Sequence, residues 1–225
     1  MRPFLRDNAL SLTFLVLFLA TLAGQSVAGL ADANEQNAMH GEPPVAYLDY
    51  VASSDFIVDV AENWQSEFLQ FFLFILATIW LIQRGSPESK KPGDSGVGTD
   101  EEQLVGAYAR PDSPAWAKVR GFRLWLLSNS LLIVMGTIFV GSWWAQSLAG
   151  HIKANEQNVL HGMPVEPWIE YVASPDFWNR TLQNWQSELL AVGAMVTFSI
   201  YLRQRGSSES KPVGAPHSES SIEGE

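Results

Sequence analysis

Two glutamates stand alone at the edge of apolar runs. Glu67 closes the stretch Asn63-Trp64-Gln65-Ser66-Glu67, and Glu188 closes Asn184-Trp185-Gln186-Ser187-Glu188. Each is followed at once by a block without charge, Phe68 to Ile82 and Leu189 to Leu202. An ionised carboxylate beside an apolar medium is costly unless it is hydrogen-bonded or hydrated. Two carboxylates brought close make one of them hold its proton, which suits a proton, cation or solute site. The plainer chemistry is a polar clasp. Gln and Ser then donate to the carboxylates, and Trp64 and Trp185 fix depth as interfacial anchors. The clasp is the leading expectation and the transport site its alternative.

A second constellation is Asn34-Glu35-Gln36-Asn37 with His40, repeated as Asn155-Glu156-Gln157-Asn158 with His161. Carboxylate and imidazole ligate divalent metals, so Glu35, His40, Glu156 and His161 are weak metal candidates. A spacing of five puts the Glu and His of one helix on different faces and has none of the logic of a two-histidine zinc helix. Helix-end and loop-holding roles fit these residues better. The chain has no cysteine, which removes thiolate metal sites, cysteine nucleophiles and disulfides. No phosphate loop, nucleophile elbow or dinucleotide fingerprint occurs. No cofactor is expected, no catalytic residue stands out, and the reading leans away from an enzyme.

Four apolar blocks must position these residues. The first runs from about Asn8 to Ala28 and the third from Leu124 to Leu148, both preceded by arginines. About 20 helical residues cover the hydrocarbon layer of a membrane, and both blocks are long enough. Arg2 and Arg6, the apolar core and Ser26-Val27-Ala28 also fit a secretory signal peptide. The equivalent block in mid-chain argues that both are retained. The second and fourth blocks are the shorter runs Phe68 to Ile82 and Leu189 to Leu202, edged by Trp or Tyr. Each reads as a membrane span with partly polar ends, against the alternative of a buried helix in a soluble domain.

The chain repeats itself. Pairing residue i with residue i+121 matches Arg2–Lys90 to Arg123–Lys211 without a gap, and 38 of the 89 pairs are identical. Internal repeats of this kind set the architecture. The expectation is an all-α integral membrane protein with four transmembrane helices. They form two tandem hairpins in parallel repeat, related by a pseudo-twofold axis along the membrane normal. The divisions read as a first hairpin repeat over residues 1–90, a disordered linker over 91–119, a second hairpin repeat over 120–206 and a disordered acidic tail over 207–225, the last two polar segments being too poor in apolar surface to order themselves.

Identities avoid the span centres and gather at the outer ends. Asn8 to Gln25 and Glu67 to Arg84 are each about 25 Å of helix, so in a hairpin Gln25 and Glu67 lie at one height. The expected polar layer is Gln25, Ser26, Asn63, Gln65, Ser66 and Glu67, with Gln146, Ser147, Asn184, Gln186, Ser187 and Glu188 from the second copy. Ser174-Pro175-Asp176 reads as a helix start, and Gly41 as the stop of a first helix that continues out to His40. Glu42 to Tyr50 is expected as the loop between. Ala20, Gly24 and Ala28, with Gly141, Ala145 and Ala149, recur at four-residue spacing and suit close helix packing in lipid.

Twelve of the fourteen basic residues fall at the N-terminus, in the middle linker and after the fourth block; the two loops between hairpin arms hold only Lys153 and Arg180. The positive-inside rule puts both termini and the linker in the cytoplasm and the loops 29–63 and 150–184 outside, in a multi-pass protein of the cytoplasmic membrane. A net charge of −10 argues against nucleic-acid binding. The partners expected are the lipid bilayer and a membrane or extracytoplasmic protein.

The opening Phe4-Leu5-Arg6-Asp7-Asn8-x-Leu10-Ser11-Leu12, the Gly24-Gln25 step, the Asn-Trp-Gln-Ser-Glu-Phe-Leu run and the Gln-Arg-Gly-Ser-x-Glu-Ser-Lys ending resemble an uncharacterised family of bacterial integral membrane proteins, a domain of unknown function. The resemblance spans both halves and implies a bacterial origin and a cytoplasmic-membrane location. It supplies no activity. The function expected is a non-enzymatic structural or partner-binding role through outward-facing helical hairpins. The alternative is a small transporter or channel at Glu67 and Glu188.

Overall fold

A computed structural model describes residues 2–220. Met1 and residues 221–225, the end of the expected acidic tail, lie outside the described residues. The described residues form eight α-helices and no strand. In order they are α1 (Arg2–Asp7), α2 (Ala9–His40), α3 (Tyr47–Val51), α4 (Ser54–Trp80), α5 (Phe122–Ser128), α6 (Ser130–Leu160), α7 (Trp168–Val172) and α8 (Pro175–Tyr201). The segment between α4 and α5 holds only turns and two short 3-10 helices, Gly106–Tyr108 and Ala115–Lys118. Moving α3 and α4 along by 121 residues gives the bounds of α7 and α8.

Local chemistry sets these bounds. The N-cap Ser174 accepts a hydrogen bond from Phe177 N at 3.3 Å, and Pro175 opens α8. Ser53 Oγ plays the same part for Phe56 N at 3.4 Å. At the far end of α2 the chain turns left-handed at Gly41 (φ 74°), which satisfies the last carbonyls through Gly41 N–Ala38 O and Glu42 N–Asn37 O. Glycine meets this backbone without a steric penalty, and Pro43-Pro44 prevents resumption of the helix. Gly162 (φ 69°) stops α6 through the equivalent bonds. Part of the expected loop Glu42 to Tyr50 is helical, since α3 begins at Tyr47.

Two helices, α2 and α6, are long and apolar enough to cross a membrane, where the sequence reading expects four. The shortfall of α4 and α8 lies in composition. Asp55, Asp59, Glu62 and Glu67 occupy the first half of α4, and Asp176, Arg180 and Glu188 that of α8. Their helices also stop at Trp80 and Tyr201, short of the ends of the apolar blocks at Ile82 and Leu202.

The contacts divide the chain into two units, and the division falls within α4 and α6. The first comprises residues up to Ala61 together with Ala145–Val172; the second comprises Glu62–Trp144 and residues from Ala173 onward. Tyr50, Val58, Ala61, Ala149 and Tyr171 are buried in the first, and Leu69, Ala117, Phe177, Thr181 and Ile200 in the second.

Candidate functional site

In the first unit, residues shared by both repeats close the segments that follow α2 and α6. Asn34 makes a pair of bonds with the backbone of Val45, accepting from its N–H at 2.6 Å and donating to its carbonyl at 3.3 Å. Asn155 does the same with Glu166, at 2.8 and 3.0 Å. A primary amide has one acceptor and one donor side, so it satisfies both backbone polar groups of one loop residue. Tyr50 and Tyr171, both buried, lie so close to Gly29 and Gly150 that a β-carbon at either glycine would overlap the phenol. Burial, and then the charges of Asp59, Asp55 and Asp32, raise the pKa of the Tyr50 phenol.

Ser26 and Ser147, buried members of the expected polar layer, each bond an aromatic of the returning chain. Ser26 Oγ is 2.8 Å from the Tyr47 hydroxyl, and Ser147 Oγ accepts from Trp168 Nε1 at 3.2 Å. Gln25 is exposed, whereas its counterpart Gln146 is fully buried with neither side-chain atom partnered. Of the weak metal candidates, His40 at the end of α2 and His161 just past α6 bond the carbonyls of Gln36 and Gln157, each at 2.8 Å. Glu35 is exposed and Glu156 accepts from Ser54 Oγ at 2.8 Å. Among the described residues no three His, Asp or Glu side chains gather as a metal site.

The second unit holds the rest of the expected layer. Gln65 is wholly buried and its Oε1 accepts from Trp185 Nε1 at 2.7 Å, which leaves Nε2 without a partner. Trp185 is half-buried and bonded, while its counterpart Trp64 is exposed. The serines turn back onto their own helices, Ser66 to Asn63 O at 3.0 Å and Ser187 to Asn184 O at 2.8 Å. Asn63 and Gln186 are exposed. Glu67 is exposed, Glu188 half-buried, and each lies within electrostatic reach of the other. Among the described residues no hydrogen bond within this unit reaches either carboxylate, and the Gln65 amide oxygen is taken by Trp185.

A family model matches residues 1–222. The chain belongs to that family, Domain of unknown function (DUF6766). Neither the curated proteins nor the solved structures give a significant match. DUF6766 therefore brings no ligand or reaction to these residues, and the geometry has to speak for them.

Two further groups in this DUF6766 chain lie at positions where the repeats differ. Glu62 binds Arg180 Nη1 at 3.3 Å and Asn184 Nδ2 at 3.0 Å, and Arg180 also reaches Asp176 at 3.4 Å. Burial alone would lower the guanidinium pKa; Asp176 and Glu62 outweigh it and raise it. Beside this network Trp143 packs on Phe139, Phe177, Trp178 and Trp185, with centroid distances of 5.5–6.1 Å, and donates to buried Thr181 at 3.4 Å. The equivalent first-half residues are Leu22 for Trp143, Asp59 for Arg180 and Val60 for Thr181. The signal in the sequence is divergence at matched positions, with charge reversal at Asp59/Arg180 and at Asp32/Lys153. Lys153 is likewise paired, its Nζ standing 2.8 Å from Asp55 in the first unit.

The Gln-Arg-Gly-Ser-x-Glu-Ser-Lys endings fold into matching turns. Gln83 N donates to Ser89 Oγ at 2.8 Å and Gln204 N to Ser210 Oγ at 2.9 Å. Lys211 is buried, and its ammonium shares its three N–H donors among the surrounding carbonyls of Gly85, Pro216, His217 and Glu219.

Proposed function

We propose that this chain is a four-pass protein of the cytoplasmic membrane, both termini inside, with a structural or partner-binding role exercised through its two outward-facing hairpins. The two long apolar helices and the distribution of basic residues support the membrane reading. The observation that carries the role is where the shared outer residues are spent. Asn34 and Asn155, Gly29 and Gly150, and Ser26 and Ser147 all fix the shape of the outer loops. A rigidly held outer surface serves recognition. Topology is tested by reporter fusions after Arg84 and within Glu42–Tyr50; an outside signal from the first overturns the orientation. The role is tested by photo-crosslinkers at exposed Met39 and Met163 in native membranes. Discrete adducts lost on Asn34→Ala and Asn155→Ala support it, and adducts unchanged by the loop variants count against it.

A second reading places transport at Glu67 and Glu188, favoured by their mutual electrostatic reach. Vesicles with the wild-type protein would then carry a pH-dependent flux that Glu67→Gln with Glu188→Gln abolishes while leaving the fold intact. Absence of proton, cation or small-solute flux in wild-type vesicles removes this reading.

A further inference from the structure

We propose that the short helices α3 and α7 lie in the outer interface of the bilayer, with Leu48 and Ile169 inserted at the boundary between lipid headgroups and acyl chains. The inference rests on the membrane-spanning reading and deepens it by naming what covers these faces.

Height carries the argument. From Ala9 to Ser26, and from Ser130 to Ser147, α2 and α6 each rise about 25 Å, most of the ~30 Å hydrocarbon layer. Both serines therefore stand near the outer edge of their spans. Tyr47 and Trp168, the first residues of α3 and α7, are tied to those serines at 2.8 and 3.2 Å. The chain has come back from the tip of each hairpin to the membrane surface before the short helix begins. Tyr and Trp with one polar bond and one apolar face are the aromatics that concentrate at headgroup depth.

Orientation follows from the locks already described. Tyr50 and Tyr171 point inward onto Gly29 and Gly150, so the neighbouring side chains point out. Leu48 is 75% exposed and Ile169 is 65% exposed. One exposed aliphatic residue is ordinary. Here a large aliphatic recurs at the matched position of both repeats, next to an interfacial aromatic and level with the end of a span. The acids that follow, Asp49 and Glu170, are exposed as well, and neither helix carries a basic residue. Attraction to anionic headgroups is therefore absent, and apolar insertion into a zwitterionic interface is what these helices offer.

The chain has no cysteine, which makes the test direct. Single variants Leu48→Cys, Ile169→Cys, Met39→Cys and Phe14→Cys of the full chain carry a polarity-sensitive fluorophore in phosphatidylcholine vesicles. The labels at 48 and 169 are expected to be quenched by lipid brominated near the carbonyl end of its chains. They should also be several-fold less open to aqueous iodide than the label at 39. Labels at 48 and 169 as open to iodide as the label at 39 overturn the inference. The label at 14 reports on the reading beneath it. Quenching there by mid-chain bromine, with 48 and 169 open to iodide, sinks the interfacial placement alone. No mid-chain quenching at 14 sinks the spanning reading and the inference with it.

Discussion

Tyr50 closes on Gly29, and the same lock recurs 121 residues later between Tyr171 and Gly150. Both tyrosines are buried, so neither ring can swing away to make room for a side chain. Gly29→Ala is expected to destabilise the protein by roughly 1–3 kcal/mol, the usual cost of overpacking. Removing the phenolic oxygen in Gly29→Ala/Tyr50→Phe should restore part of that loss. Thermal melts in detergent check both; a harmless single variant would mean that the contact is looser than described.

Asn34 holds the loop between α2 and α3 through both polar groups of Val45. Asn34→Ala leaves the N–H and carbonyl of Val45 without their partner, for an expected loss of about 1–3 kcal/mol. Asn34→Asp keeps an acceptor for Val45 N–H but removes the donor to the carbonyl, and should fall between. Limited proteolysis of the segment 42–46 reads the difference, with faster cleavage in the order Ala, Asp, wild type.

The pair Lys153–Asp55 is half-exposed, with side-chain accessibilities of 24% and 48%. Such pairs contribute about 0.2–1 kcal/mol, so Lys153→Ala should cost little. Lys153→Asp sets two carboxylates together and should cost more, and the swap Asp55→Lys/Lys153→Asp should recover most of the loss. A double-mutant cycle on melting temperature measures the coupling.

Burial, and secondarily the Glu209 carboxylate, raise the pKa of Glu88 in the fold. The folded state thus favours the protonated carboxyl. Its contribution to stability is present below the ordinary carboxylate value and is lost as pH rises through the raised one. Glu88→Gln is expected to melt above wild type at neutral pH, and the two should converge in acid below the carboxylate range. A constant difference across that range would remove the assignment.

Helix limits were the most legible part of the chain, because they are set by neighbours in sequence. Gly41 stops α2 and Ser174-Pro175 starts α8 through bonds no more than a few residues long. The shared asparagines stood out as residues under constraint, but their partners did not. Asn34 bonds a peptide eleven residues onward, and that depends on where the loop folds back. A serine in a helix has its own i−3 carbonyl at hand, and Ser66 and Ser187 take it in place of Glu67 and Glu188. The partners of Arg180 and the packing of Trp143 are not legible from identity between the repeats, since both occupy positions where the repeats differ.

The first half carries Asp32 and Asp59 where the second carries Lys153 and Arg180, and those two cations bind Asp55 and Glu62 of the first half. A tandem of two first halves would set an acid against an acid at both places. At these two places the copies are therefore complementary, and exchanging one for the other would replace an ion pair by two like charges.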